Sequence, residues 1–371
     1  MTGLTIQNVS KQWPNSDYAV LKNIDLQVSG DEFLILLGPS GCGKSTLLRI
    51  ISGLVAPSTG RVLIGDRDVT DLEPQERRIG MVFQNYALFP HMNIQKNLSF
   101  PLEVAHEKRE KREQTVKGVA ELLDISKHLK KKPEMLSGGE RQRTAMGRAM
   151  VKEADIFLFD EPLSNLDESM RARLRPEILR QFQRLQVPFV YVTHDQVDAM
   201  TMGTKIAVMD KGVIQHLGTP DEIYNRPANM FVASFVGAPK INYFRCGVRR
   251  ADGRTALTHG DLDIELPRWG EDLAGYTGDE VILGIRPEDL GADPVGDAGQ
   301  PIRCLLRSYE YLGSHLLLYL DWEGETLRMT APLTVRAKVG EAMTVYLDRS
   351  KIHLFDPGTG TRIGAGEKRT Q

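Results

Sequence analysis

The sequence predicts a layered α/β domain built on a mostly parallel sheet, followed by a smaller β domain. Three observations carry this. "FLILL", "GMVF", "DIFLF" and "FVYVT" are nearly continuous apolar runs of strand length, as expected of strands covered on both faces of a parallel sheet. Helical periodicity separates them, first from Lys44 and again from about Glu168 toward Gln186. After "VASFVGAPK" the texture changes to short strand-sized pieces, "VILGI", "HLLLYLDW" and "AMTVYLD", divided by Gly, Pro and Asp clusters.

Taken in order, "GLTIQNV" and "KNIDLQV" alternate apolar and polar residues and predict half-buried strands ahead of the first buried run. From about Asn85 to Glu153 the rhythm breaks into helical patterns with no buried strand, which predicts a helical insertion. Its charged run "HEKREKREQ" reads as a solvated face in preference to a docking patch. Pro176 lies inside the helical pattern "ESMRARLRPEILRQFQRLQ" and predicts a kink or a restart near Arg175. The first domain is expected to span 1–237 and the second 238–371, in keeping with a chain of 371 residues.

Composition narrows the class. Apolar and charged fractions of 41% and 26% are those of a globular protein, and a net charge of −2 offers no basic field for nucleic acid. In 238–371 acidic residues outnumber basic ones by three, so a five-stranded barrel there lacks the basic groove of a strand-binding fold. The longest apolar runs, "FLILLG" and "HLLLYL", fall far short of the roughly 18 residues that span a bilayer. Nor does the start, "MTGLTIQNVSKQW", have the apolar core of a secretory signal, so any service to a membrane is expected from one side. Cys42, Cys246 and Cys304 are too scattered for a disulfide framework or a zinc site, which suggests a reducing compartment.

The chemistry begins at "GPSGCGKST", which satisfies G-x-x-x-x-G-K-[ST] between a buried strand and a helix. Gly38, Ser40, Gly41, Cys42, Gly43 and Thr46 supply backbone that can close round a phosphate, Lys44 reaches the outer phosphates, and the Ser45 hydroxyl can hold Mg²⁺. "DIFLFDEP" ends an apolar run in Asp160, a carboxylate at the carboxyl edge of a buried strand, where it can hold the metal's water shell. Glu161 faces differently and is the candidate to orient or deprotonate the attacking water. In "LSGGERQRTAMGRAM" a second glycine pair opens a helix, with Ser137 as its N-cap and Gly138 and Gly139 behind it. This second helix end has no lysine. Either it merely caps a helix, or it binds a phosphate that another molecule brings.

"GPSGCGKST", "LSGGE", "IFLFDEP", "SNLD" and "VTHD" occur in the order found in the nucleotide-binding subunits of ATP-binding cassette (ABC) transporters, which this chain resembles over its first two-thirds. The resemblance implies a P-loop NTPase fold with a helical subdomain at about 85–153, and a symmetric homodimer in which each LSGG segment closes over ATP held by the other copy. It also implies roles by position. Trp13 matches the aromatic that stacks on adenine, Gln84 the glutamine that touches Mg²⁺ and the water, Asp167 the acid joining the two sites, and His194 the histidine that contacts the γ-phosphate and positions water with Glu161. ATP and Mg²⁺ are thereby the expected cofactors.

Longer segments, "RRIGMVFQNYALFPHMNI", "THDQVDAMTMGTKIAVM" and "GTPDEIYNRPANMFVASFVGAPKINYF", resemble importer subunits of the maltose and glycerol-3-phosphate type, and "GIRPED" resembles their appended OB-like (TOBE) barrel. The implied setting is the cytoplasmic face of the membrane, peripheral, beneath two transmembrane permease subunits that receive a carbohydrate from an extracytoplasmic binding protein. The last domain would strengthen dimerisation or receive a regulatory protein. Polyamine and anion importers share this architecture, because solute contacts lie on other subunits. A soluble cassette acting on nucleic acid would need a second cassette or a coiled coil, neither of which the sequence has, and a P-loop kinase has no use for "LSGGE". Glu140 departs from the glutamine of many relatives and adds a negative charge beside an anion site.

Overall fold

The computed structural model describes residues 3–364 apart from 15, 84, 165, 252–253, 261, 266–272, 274–275, 295–298 and 337. Its backbone divides into two compact units, Met1–Pro220 and Asp221–Gln371. The first begins with β1 (Leu4–Gln12), β2 (Ala19–Val28), β3 (Phe33–Leu37), α1 (Lys44–Ile51), β4 (Thr59–Ile64), β5 (Arg67–Asp68) and β6 (Ile79–Val82). Helices α2 (Ile94–Val104), α3 (Arg109–Leu122) and α4 (Gly138–Met150) come next. The unit ends with β7 (Ile156–Asp160), α5 (Glu168–Leu185), β8 (Phe189–Thr193), α6 (Gln196–Met202), β9 (Lys205–Asp210) and β10 (Val213–Gly218).

Two sheets result. An antiparallel one runs β2-β1-β4-β5, and a six-stranded one runs β10-β9-β3-β8-β7-β6, parallel except at β10. Every residue of β3, β7 and β8 is buried. The two faces explain why these runs are continuously apolar. Leu34, Leu36, Ile156, Leu158, Val190 and Val192 face α1 and the antiparallel sheet. Phe33, Phe157, Phe159, Phe189 and Tyr191 form an aromatic layer on the other face, against which α5 packs Phe182, edge-on to Phe33 with centroids 5.3 Å apart.

The charged stretch lies on exposed α3, where Arg109–Glu113 and Lys111–Glu107 pair at i,i+4 spacing. The expected restart at Arg175 does not occur: α5 is one unbroken helix through Pro176. Burial of Leu174, Ile178 and Phe182 holds both halves to one surface, and Arg175 bridges Glu168 at 2.9 Å and Asp198 at 2.6 Å, outweighing the lost backbone bond.

The second unit contains α7 (Pro220–Asn225), which begins at the boundary, α8 (Met230–Phe235), β11 (Asn242–Ala251), β12 (Arg254–His259), β13 (Leu262–Glu265), β14 (Glu280–Ile285), β15 (Leu290–Gly291), β16 (Gly299–Tyr311), β17 (Leu316–Trp322), β18 (Glu325–Ala331), β19 (Ala342–Asp348) and β20 (His353–Phe355). They form two antiparallel five-stranded sheets, β13-β12-β11-β14-β20 and β15-β19-β16-β17-β18. A common core of Phe244, Leu283, Ile302, Leu320, Trp322 and Val345 joins them. Residues ahead of Gly237 pack with these strands. Ala233 of α8 packs with Ile241 and Phe355, and buried Arg286 donates to Tyr224 O and Val236 O at 2.8 Å each, so residues just before Gly237 belong with the strands of the second unit.

Candidate nucleotide site

Topology brings the chemistry together before any side chain is considered. β3, β8 and β7 are adjacent and parallel, with Leu37 opposite Thr193 and Val192 opposite Asp160. Their carboxyl ends therefore deliver three segments to one sheet edge: the glycine loop, the Asp160–Glu161 pair and His194. Gln84 lies outside the described residues.

The loop closes into α1 without a side-chain cap, Gly43 taking a left-handed φ of 112° at the N-cap position. A Cβ there would lie 2.7 Å from Leu21 Cδ2, so close packing against β2 and backbone conformation both require glycine. Lys44 is buried, and its Nζ donates to Gly38 O at 2.8 Å and Pro39 O at 2.9 Å, drawing the ammonium under the loop. Cys42 is buried too, and burial pushes its thiol above the usual range, so it is a packing residue of the loop and no thiolate.

Ser45 Oγ donates to Asp160 Oδ1 at 2.9 Å. Burial raises the pKa of Asp160, with the Ser45 hydrogen bond and the Arg49 and Lys44 charges opposing the rise. A hydroxyl and a carboxylate side by side are hard oxygen donors of the kind Mg²⁺ takes alongside water and phosphate. Among the described residues, no three His, Cys, Asp or Glu gather into a self-sufficient metal cage. The donor set thus fits a cation that arrives with phosphate.

Glu161 adopts a left-handed φ of 47°. Its N–H donates to Val192 O at 3.1 Å, and its carbonyl accepts from Ser164 N–H and Ser164 Oγ, which fixes the turn. The consequence is that two consecutive acids point to different partners. Glu161 Oε2 lies 3.3 Å from His194 Nδ1, whose imidazole is half exposed.

At the other helix end, Ser137 Oγ accepts from Glu140 N–H at 3.3 Å while Glu140 Oε2 accepts from Ser137 N–H at 2.8 Å, a reciprocal capping box. Glu140 Oε1 also lies 3.0 Å from Nε2 of buried His128. Its carboxyl is held low mainly by the Ser137 N–H. The charge that looked like an intrusion on an anion site is thus committed to its own helix, and the S-x-x-E spacing already contained that signal. Gly138 and Gly139 face Leu166 and Met170: a Cβ on Gly139 would lie 3.1 Å from Met170 Cε and Sδ.

Asp167 caps α5, accepting from Ser169 Oγ at 2.6 Å and Met170 N–H at 3.1 Å, and these bonds lower its pKa. Trp13 is 40% exposed, with Lys11 Nζ 4.8 Å from its ring centroid, a cation–π contact on an accessible aromatic. Sequence reasoning missed Arg171, which donates to the backbone at Ser164 and Leu166 and to Asp195, the neighbour of His194. A helical arginine among many carries no local signal of such reach.

Comparison with known proteins now decides the family. Residues 21–164 match the ABC transporter family, 237–290 the MalK OB fold domain and 283–355 the TOBE domain. The chain is 43% identical to the sn-glycerol-3-phosphate import ATP-binding protein UgpC of Yersinia pseudotuberculosis over 98% of its own length and 99% of that protein's. It is 44% identical to the trehalose/maltose import ATP-binding protein MalK of Thermococcus litoralis, over 98% and 100%. The chain belongs to the ATP-binding subunits of carbohydrate ABC importers. As a member it is an ATPase, and its fold is the cassette followed by OB and TOBE domains. A solved dimeric ATP-binding cassette in a post-hydrolysis state, bound to ADP and Pi, aligns with 58% of this importer ATPase at 29% identity and a TM-score of 0.54. Among the described residues no helix is long and apolar enough to cross a membrane, and the family's partnership with permease components accounts for how an import ATPase serves one.

Proposed function

We propose that the chain powers uptake of a sugar or a glycerol phosphate, working as a head-to-tail homodimer that holds two ATP molecules. It would sit on the cytoplasmic face of the membrane beneath two permease subunits that receive solute from a binding protein. The solute class is drawn from the UgpC and MalK relatives, and the dimer from the dimeric cassette of similar fold. The OB-like unit is proposed to reinforce the dimer or to receive a regulator.

The observation that carries the mechanism is the pairing of Ser45 with Asp160 beside the pairing of Glu161 with His194 at neighbouring strand ends. Backbone N–H groups of 38–46 and Lys44 would bind the phosphates, and Trp13 would stack on the adenine. Mg²⁺, held through Ser45, Gln84 and the Asp160 water shell, would offset phosphate charge. Glu161 would accept a proton from the attacking water, His194 holding that carboxylate and the water in line with the γ-phosphate. Ser137, Gly138 and Gly139 of the second copy would cover the γ-phosphate, with its Asp167 beside them.

The test is uptake of labelled sugars, glycerol phosphates and polyamines in cells lacking this chain, rescued by wild type or by Glu161→Gln. Sugar or glycerol phosphate uptake restored by wild type alone is the expected result. Restoration of polyamine uptake instead would overturn the solute class and leave the ATPase in place.

A further inference from the structure

The first turn of α5 touches both segments on which the proposed dimer depends. On one side Leu166 and Met170 pack on the LSGG glycines, with Cβ positions at Gly138 and Gly139 falling 3.8 Å from Leu166 Cδ2 and 3.1 Å from Met170 Sδ. On the other side a single guanidinium reaches into two loops. Arg171 Nε donates to Leu166 O at 3.0 Å, Nη2 to Ser164 O at 3.2 Å, and Nη1 to Asp195 Oδ2 at 2.6 Å. Asp195 directly succeeds His194, its N–H donates to Thr193 Oγ1 at 2.9 Å, and its Oδ1 caps α6 by accepting from Val197 N–H and Asp198 N–H. Both members of the Arg171–Asp195 pair are about one-fifth exposed, so the bond is sheltered from solvent screening.

We propose that Arg171 is a positioning residue that couples the two nucleotide sites, fixing His194 in one site according to whether the LSGG end of the same chain has closed on the other. The inference rests on the head-to-tail reading of the dimer. Movement at Gly138–Gly139 bears on Met170 and Leu166, both in or beside the turn that carries Arg171. The guanidinium holds the backbone at Ser164 and Leu166 with two donors and Asp195 with a third, so this turn and the His194 strand end shift together. Only a planar fork can make those three bonds at once, which makes lysine an incomplete substitute. Asp195 is a partner suited to this use because its second oxygen is already fixed by α6, which leaves Arg171 bonded to a rigid acceptor.

The experiment measures ATP hydrolysis against ATP concentration for the full-length chain and for Arg171→Gln, Arg171→Lys, Asp195→Asn and the Gln/Asn double variant, with thermal unfolding of each. Asparagine at 195 retains the α6 cap and loses the charge. Arg171→Gln and Asp195→Asn are each expected to lower kcat about tenfold with KM for ATP within about twofold, and the double variant to be no slower than the slower of these two. The Hill coefficient should fall toward one, and Arg171→Lys should recover part of the rate. Wild-type kcat and cooperativity in Arg171→Gln would overturn the proposal, as would losses that multiply in the double variant, or a rate that falls only in step with folded protein. Glu161→Gln is run alongside by light scattering: ATP-dependent dimers with a wild-type-like Arg171→Gln would refute the coupling alone, whereas failure to dimerise would refute the head-to-tail reading beneath it.

Discussion

The mouths of α1 and α4 are both helix N-termini opened by glycines, yet they are finished in opposite ways. At α1 no side chain caps the helix, and Gly43 leaves the first-turn N–H groups to whatever the loop encloses. At α4 Ser137 and Glu140 consume each other's donors, and the glycines are packed under Leu166 and Met170. A site that must hold phosphate by itself is left uncapped and given a lysine. A helix end that spends part of its first turn on its own cap has fewer N–H groups to offer, which suits one that meets a nucleotide held elsewhere. The acids beside them differ in the same sense: burial raises the pKa of Asp160 at the first, and a backbone donor lowers that of Glu140 at the second.

The comparison can be tested in descending order of effect. Glu161→Gln should cut kcat by about 10²–10⁴-fold while leaving ATP binding intact, since it removes the proton acceptor without touching the loop, and stopped ATPase with unchanged nucleotide affinity would show it. Gly43→Ala should destabilise the first unit by about 1–3 kcal/mol through the left-handed backbone and the Leu21 clash, whereas Ser137→Ala should cost about 1 kcal/mol through the lost cap; denaturant midpoints rank them. An equal cost at both positions would erase the distinction between the two helix ends.

Asp160→Asn should abolish hydrolysis yet raise the melting temperature of the nucleotide-free chain at pH 7 by a few degrees, while Glu140→Ala should lower it; the scans need only the sign. The two acids also respond to pH with opposite signs. Glu140, with its folded pKa depressed, contributes stability that is present above its unfolded pKa and lost as pH falls through the folded one. Asp160, with its folded pKa raised, acts oppositely: its ionised form is a cost at neutral pH, relieved as pH falls toward its unfolded value. Acid titration of the wild type should therefore be flatter than that of Asp160→Asn, read by chemical denaturation between pH 7 and 4.

The features legible in the sequence were local or periodic. The buried strands announced themselves by continuous apolar runs, and the pairings of Ser45 with Asp160 and Glu161 with His194 become natural once such strands are parallel, because Asp160, Glu161 and His194 sit at strand carboxyl ends and Ser45 opens the helix that follows β3. The restart that Pro176 suggested does not occur, because that rule concerns an isolated helix and the Phe182 side of α5 together with Arg175 holds the two halves as one. The seating of α8 depends on Ala233 meeting Phe355, a contact across more than a hundred residues that no local pattern encodes. Arg171 was hidden for the same reason, since its acceptors lie on loops fixed only by the finished fold.

The aromatic layer of Phe33, Phe157, Phe159, Phe182, Phe189 and Tyr191 covers one face of the strands whose carboxyl ends carry the site. Amides of β3, β7 and β8 should exchange with solvent deuterium only when the whole first unit opens, while those of the loops at their ends exchange through small local fluctuations. Were the proposed dimer to open and close at every turnover, its site loops would hang from the part of the chain that is last to let in water, and repeated cycling would not bring the unit nearer to unfolding.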